Sequence, residues 1–230
     1  MNGEKEILIA SLAPSYPAYF KCHPEQLVTA LKLLGFQHVE ETASVVGEAV
    51  ELRTLEASKS AGPVIGSSCP RIAEEIRNGW PRLQELMSDV PSPMELHGRA
   101  LRERYGNGSI ITFFSPCPWK AEENDLKKCV DEVVTFEKLE ESLLEAGISD
   151  LSTLKRTPFD SKVEDPVHRL SPLVMGVHGF DECIKRLDDP NLLAEGYNEL
   201  LWCSGGCFRQ ALKQGTSDMQ IQRIFDAWEE

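Results

Sequence analysis

Short runs of apolar, β-prone residues alternate along this chain with stretches whose apolar positions recur every three or four residues. The β-type runs are Glu6 to Ser11, His38 to Thr42, Pro63 to Ser67, Ser109 to Phe114, Glu132 to Thr135, Leu173 to His178, and Glu199 to Trp202. Their alternation with helical patterns predicts an α/β chain with mostly parallel strands. Pro24 to Leu34 reads as a helix, with Pro24 in the first turn, Leu27, Leu31 and Leu34 on one face, and Gly35 as its stop. Ser92-Pro93-Met94-Glu95 supplies a cap, a proline at the first position and a glutamate three residues on, so a helix should begin there and run toward Tyr105. Phe136, Leu139, Leu143 and Ala146 mark another, ended by Gly147, and Cys183, Ile184 and Leu187 lie in a further helical segment. Asp150 to Pro172 is polar, carries Pro158 and Pro166, and shows no sustained period; it reads as a long connection of the kind that borders a site. In the tail, Ser217 and Gln220 form a capping pair ahead of Ile221, Ile224, Phe225 and Trp228, a face expected to pack on the protein's own core. The expected architecture is two lobes, Met1 to Pro91 and Ser92 onward, each a small, mostly parallel twisted sheet with flanking helices.

Composition narrows the function more than the fold. At 230 residues, 41% hydrophobic and 27% charged, the chain is long enough for one sizeable core divided into two lobes. Its 24 basic against 37 acidic residues leave a formal charge of −13, which argues against a phosphate-tracking surface and so against nucleic acid as a partner. The start, Met1 to Glu6, lacks a basic leader, and the apolar run Ile7 to Leu12 is too short for a signal core or a membrane span, so a cytoplasmic location is expected. Seven cysteines without dense spacing make a disulfide framework improbable; reduced thiols, some of them ligands, fit better.

Four of those cysteines, Cys69, Cys117, Cys203 and Cys207, follow apolar strand-like runs, in the settings Ser67-Ser68-Cys69-Pro70, Ser115-Pro116-Cys117-Pro118 and Cys203-Ser204-Gly205-Gly206-Cys207. Ligand sites of open α/β sheets form outside the carboxyl ends of strands, so four thiolates would converge there, as an iron-sulfur cluster requires. Gly205 and Gly206 would let the backbone approach closely and turn N–H groups toward sulfur. Zinc is the obvious rival, but the paired Cys-x-x-Cys knuckles of structural zinc sites are missing. A nucleophilic cysteine at Cys117 or Cys69 is a second rival, although His23, His38, His97, His168 and His178 give no Cys-His signature. Cys22, Cys129 and Cys183 read as small buried hydrophobes.

The residues resemble a known family, the cluster-binding C-terminal domain of the [FeFe] hydrogenase large subunit, and within it a short, sensor-like branch. The resemblance rests on Ala13-Pro14-Ser15, the helix from Pro24 to Gly35-Phe36, Ser68-Cys69-Pro70, Ser92-Pro93-Met94, Pro116-Cys117-Pro118-Trp119-Lys120-Ala121-Glu122, Thr135 to Leu139, Pro158-Phe159-Asp160, and the Cys203 to Cys207 loop. It implies that Cys69, Cys117, Cys203 and Cys207 hold a [4Fe-4S] cluster. Cys207 would also bridge to a diiron subcluster carrying CO, cyanide and azadithiolate, in the cleft between the lobes, where protons plus electrons and dihydrogen interconvert. Lys120 matches the lysine that hydrogen-bonds an iron-bound cyanide, with a surface lysine beside Glu122 and Glu123 as the alternative. Pro14, Ser15 and Ser115 would line the diiron pocket, Pro14 and Ser15 having a plain strand-closing turn as their other reading.

The chain departs from the family pattern in ways that bear on rate. Ser68 stands where the standard enzymes carry a proton-relaying cysteine, and a hydroxyl gives up its proton far less readily than a thiol. Ser115 and Leu201 replace methionines, and Met94 replaces a glutamine. The family's acidic proton path should fall between Thr42 and Leu52, where Glu48 and Glu51 do not align clearly. Ferredoxin-like cysteine runs are absent, so the resemblance implies electrons supplied by a separate carrier such as ferredoxin, or else a signalling partner. Arg99, Arg102 and Arg104 are either a patch for such an acidic carrier or a solvated helix face.

Overall fold

The computed structural model describes residues 6–161 and 171–212. In chain order its strands and helices are β1 (Leu8–Leu12), α1 (Tyr16–Tyr19), α2 (Pro24–Leu33), β2 (His38–Glu41), α3 (Val46–Lys59), β3 (Val64–Ile65), α4 (Pro70–Gly79) and α5 (Pro93–Tyr105), then β4 (Ile110–Ser115), α6 (Lys120–Lys127), β5 (Glu132–Thr135), α7 (Phe136–Glu145), β6 (Val174–His178), α8 (Phe180–Asp188), β7 (Tyr197–Leu201) and α9 (Gly206–Ala211). Each expected β-type run overlaps a strand. One sheet has the order β2-β1-β4-β5 and the other β3-β7-β6, with every neighbouring pair parallel.

The expected division at residue 91 does not separate the sheets. After β2 the chain leaves the first sheet, contributes β3 to the second, returns as β4 and β5, and completes the second sheet with β6 and β7. Parallel pairing is the reason: β1 acquires a neighbour on each side only through crossovers, and one of these carries β3 into the other sheet.

Local signals account for the helix ends. Ser92 accepts from the Glu95 N–H at 3.3 Å and Pro93 opens α5. Leu27, Val28, Ala30 and Leu31 bury the inner face of α2 against the first sheet, where Ile9, Leu12, Ile111 and Phe136 are also fully covered. A second core joins Ile65, Ile72, Ile76, Cys183, Leu187 and Leu200. The described part of the long connection lies along α2: Thr29 donates to the Lys155 carbonyl at 2.7 Å, and Asp160 pairs with Lys32 at 2.9 Å. Pro166, His168 and the tail from Ser217 to Trp228 lie outside the described residues. Among those described, no helix is long and apolar enough to cross a membrane.

Two features give stability predictions. Gly98 on α5 faces the carbonyl of Cys129, and a β-carbon there would run into that backbone oxygen. Alanine gains about 1 kcal/mol of helix propensity, but overpacking against an immobile backbone costs about 1–3 kcal/mol, so Gly98→Ala should lower the melting temperature. Glu40, 1% exposed, is the other. Burial would raise its pKa, but His97, Tyr105 and Arg104 outweigh that and hold it at about 2. A depressed carboxylate stabilises the fold above its unfolded pKa and loses that contribution as the pH falls through the folded value. Melting temperatures measured from about pH 5 down to about pH 2 should therefore drop more steeply for the native protein than for Glu40→Gln.

Candidate metal centre

Parallel strands gather their carboxyl ends at one edge of each sheet, and the resemblance-derived residues lie there. In the first sheet the chain goes from β1 outward to β2 on one side, and from β4 outward to β5 on the other. The crevice between β1 and β4 is therefore a topological switch point. Pro14, exposed, and Ser15, buried, follow β1; Ser115, buried, closes β4 and accepts from the Cys117 N–H at 3.2 Å. In the second sheet, Ser68 and Cys69 follow β3, and Cys203 follows the adjacent β7. The chain beyond Cys203 then crosses to the first sheet, because α9 packs on α1 with Ala211 in the first core.

Lys120 joins the two sets of loops. Its side chain is 13% exposed; Nζ donates to the Ser68 carbonyl at 2.9 Å and to the Glu123 carboxylate, which in turn accepts from Ser92. This lysine is therefore interior, not the surface residue of the alternative reading. Burial would depress its pKa, but Glu123 and the thiols of Cys207 and Cys117 raise it, so the ammonium stays charged. The Cys207 thiol, enclosed although the residue as a whole is exposed, is pushed up to about 12, by burial first. Lys120 opposes that rise, while Cys117, Cys69 and Cys203 add to it. Burial also raises Cys117 and Cys203, and Cys69 adds to the rise of both. The four thiols are thus close enough to sense one another.

A thiolate-held cluster fits this donor set. Four soft ligands carry negative charge once metal displaces their protons, and the Lys120 ammonium, electrostatically coupled to Cys117 and Cys207, offsets part of it. Among the described residues no three His, Cys, Asp or Glu side chains are grouped as a single ion needs. A four-iron cube attaches each thiolate to a different iron and so accepts a wider set. The loop differs from expectation in one respect. Gly205 and Gly206 do adopt positive φ, 76° and 71°, but the Gly205 N–H donates to His178 Nδ1 at 3.2 Å and the Gly206 N–H to the Cys203 carbonyl at 2.9 Å. These two N–H groups hold the turn rather than facing sulfur. Cys183 is fully buried in the second core, as expected, whereas Cys22 and Cys129 are only half-buried at the edge of the first.

Several residues at the site escaped sequence reasoning. Arg53, on α3, donates to the Ser68 hydroxyl at 2.8 Å and pairs with Glu199 of β7 at 3.0 Å. Burial raises the Glu199 pKa, against the lowering effect of Arg53 and Lys120. Glu48 and Glu51 are both exposed, whereas the carboxylate joined to Ser68 through Arg53 is the buried Glu199 of β7. Arg71 has its Cζ 4.8 Å from the ring of Trp119 and 4.9 Å from that of Trp202. A Trp two positions after one cysteine and another just before a second was the available signal. Arg99, Arg102 and Arg104 pair with Glu95, Asp131 and Glu40 respectively, which removes most of the free charge a basic patch would need.

Parallel sheets with functional loops at the strand ends define the open α/β class of site. The family model for the iron only hydrogenase large subunit, C-terminal domain, matches residues 6–170, and the chain belongs to that family. No curated protein sequence matches it. Among solved structures, an [FeFe]-hydrogenase described in connection with oxygen inactivation at the 2Fe subcluster of the H cluster has a TM-score of 0.77 at 18% identity, over 99% of this chain and 85% of that one. A HydA structure described as a stage of H-cluster assembly gives 0.75 at 18%, over 98% and 84%. A variant of [FeFe]-hydrogenase HydA1 from Chlamydomonas reinhardtii gives 0.75 at 17%, over 99% and 85%. At such identities the likeness establishes the fold.

Proposed function

We propose that Cys69, Cys117, Cys203 and Cys207 hold a [4Fe-4S] cluster in the cleft between the two sheets, that Cys207 also reaches a diiron subcluster, and that the protein interconverts protons plus electrons with dihydrogen. The group supplies metal-based heterolysis of dihydrogen and storage of electrons when bound. The observation that carries this reading is Lys120: a buried, charged ammonium, anchored on the Ser68 carbonyl and electrostatically coupled to Cys117 and Cys207. An ammonium so placed donates to an anionic ligand such as cyanide without the desolvation cost of recruiting one. Pro14, Ser15 and Ser115 shape the pocket wall at the switch point. Electrons come from a carrier such as ferredoxin, and the chain works in the cytoplasm, where thiols stay reduced.

One observation favours a second reading, a redox or hydrogen sensor with little turnover. The Ser68 hydroxyl accepts from the Arg53 guanidinium, and Arg53 is itself held by Glu199. Such an ion pair fixes the inner end of any proton route. Hydrogen evolution by cofactor-loaded protein with a strong reductant separates the two: sustained evolution supports the enzyme, and its absence in protein that carries the full cofactor supports the sensor.

A further inference from the structure

Arg71 lies in the first turn of α4, two residues beyond Cys69, with its guanidinium Cζ within 5 Å of two indole rings. Trp119 lies two residues beyond Cys117, and Trp202 lies one before Cys203. The edges of the same guanidinium are fixed by Glu74 on Nη1 and Glu75 on Nη2, each at 2.6 Å, and the side chain is only 27% exposed. One planar cation, itself two residues beyond Cys69, thus touches side chains from the loops of two other proposed ligands, so that segments following β3, β4 and β7, and hence both sheets, meet at it.

We infer that Arg71 is a positioning residue: a stacked clamp that, with Trp119 and Trp202, holds the Cys69, Cys117 and Cys203 loops in register before metal arrives. The inference rests on the cluster reading for its purpose, but the clamp itself is a property of the metal-free protein. Two cation–π contacts on one pre-oriented guanidinium limit how far the three loops spread. Arginine is needed here rather than any cation. Its flat fork meets the two carboxylates along its edge while leaving its faces to the rings, whereas a lysine ammonium is a flexible point charge.

Two measurements test this. In metal-free protein, Arg71→Ala, Trp119→Leu, Trp202→Leu and the Arg71→Ala double variants are compared by thermal denaturation; the clamp requires that each double variant lose clearly less than the sum of its singles. Additive losses overturn it. In iron-reconstituted protein, Arg71→Ala should reach native iron content but surrender it to a chelator about tenfold faster or more, an effect on preorganisation. Arg71→Lys, which keeps the charge, should restore the melting temperature more than it restores iron retention. Unchanged retention in Arg71→Ala, or full rescue of retention by lysine, contradicts the inference. If native protein takes up no iron, the cluster reading fails, while the clamp still stands or falls on the denaturation cycle.

Discussion

Anaerobically reconstituted Cys117→Ala protein is expected to hold almost no iron, where the native chain holds about four per molecule. Cys69→Ala and Cys203→Ala should behave the same way, and all three should lose the broad thiolate-to-iron absorbance. The reason is cooperative: a cube with one vertex unheld exposes that iron to solvent, and the remaining thiolates release the cluster. Cys183→Ala is the control, because Cys183 fills the second core beside Leu187 and Leu200. It should keep its iron while melting at a lower temperature, since deleting a buried sulfur leaves a small void. If iron content and absorbance survive loss of Cys69 or Cys203, the proposed ligand set is wrong. Iron lost equally from Cys183→Ala would mean that general destabilisation, not ligation, is being read.

Ser68→Cys is expected to raise hydrogen evolution by cofactor-loaded protein at least tenfold. A positioned group of suitable pKa contributes about 10²–10⁴ to a proton transfer, and a hydroxyl does not ionise in the working range whereas a thiol does. Arg53 gives this prediction a second, sharper arm. It already donates to the Ser68 oxygen, so a thiol there would sit beside a permanent cation, which favours thiolate and lowers its pKa. Removing that cation in Ser68→Cys/Arg53→Gln should raise the thiol pKa and move the pH dependence of evolution to higher pH than in Ser68→Cys alone. Equal rates in native protein and Ser68→Cys would remove Ser68 as the bottleneck. An unshifted pH profile in the double variant would remove Arg53 as its electrostatic neighbour.

Much of the fold was legible because most of its elements announce themselves locally. The seven β-type runs are bounded by turn residues, α2 and α5 carry proline starts, and Gly35 takes the positive φ that ends α2. Two elements that did not announce themselves lack a stripe of large apolar side chains. α3 buries only Ala49 and Ala57, and α6 buries Glu123 and Asn124, so neither shows a hydrophobic stripe. Both helices also turn a polar residue toward the candidate site: α3 presents Arg53 to Ser68, and α6 presents Lys120. The division into lobes was misplaced for a different reason. Strand pairing across the chain is a property of topology, and nothing local in Pro63 to Ser67 marks β3 as the neighbour of Tyr197 and Asn198.

The candidate site was readable where type and position coincide and unreadable where contacts are long-range. Cysteines after apolar runs mark the strand ends, and Lys120 was singled out by the family resemblance of the segment Pro116 to Glu122. Glu199 could only look like an ordinary strand residue, because its meaning lies in Arg53, far away in sequence on α3. Arg71 likewise gains significance only when Trp119 and Trp202 arrive beside it. The Gly205-Gly206 turn shows the opposite error: the geometry was foreseen, but its N–H groups go to His178 and Cys203.

The most direct test of the central claim is infrared spectroscopy of the iron-reconstituted protein after loading with a synthetic diiron complex. Sharp bands from bound CO and cyanide, perturbed by Lys120→Ala and lost in Cys207→Ala, are the predicted result. Protein that carries its iron-sulfur cluster but shows no such bands would contradict the claim and leave a simple cluster-binding protein in its place.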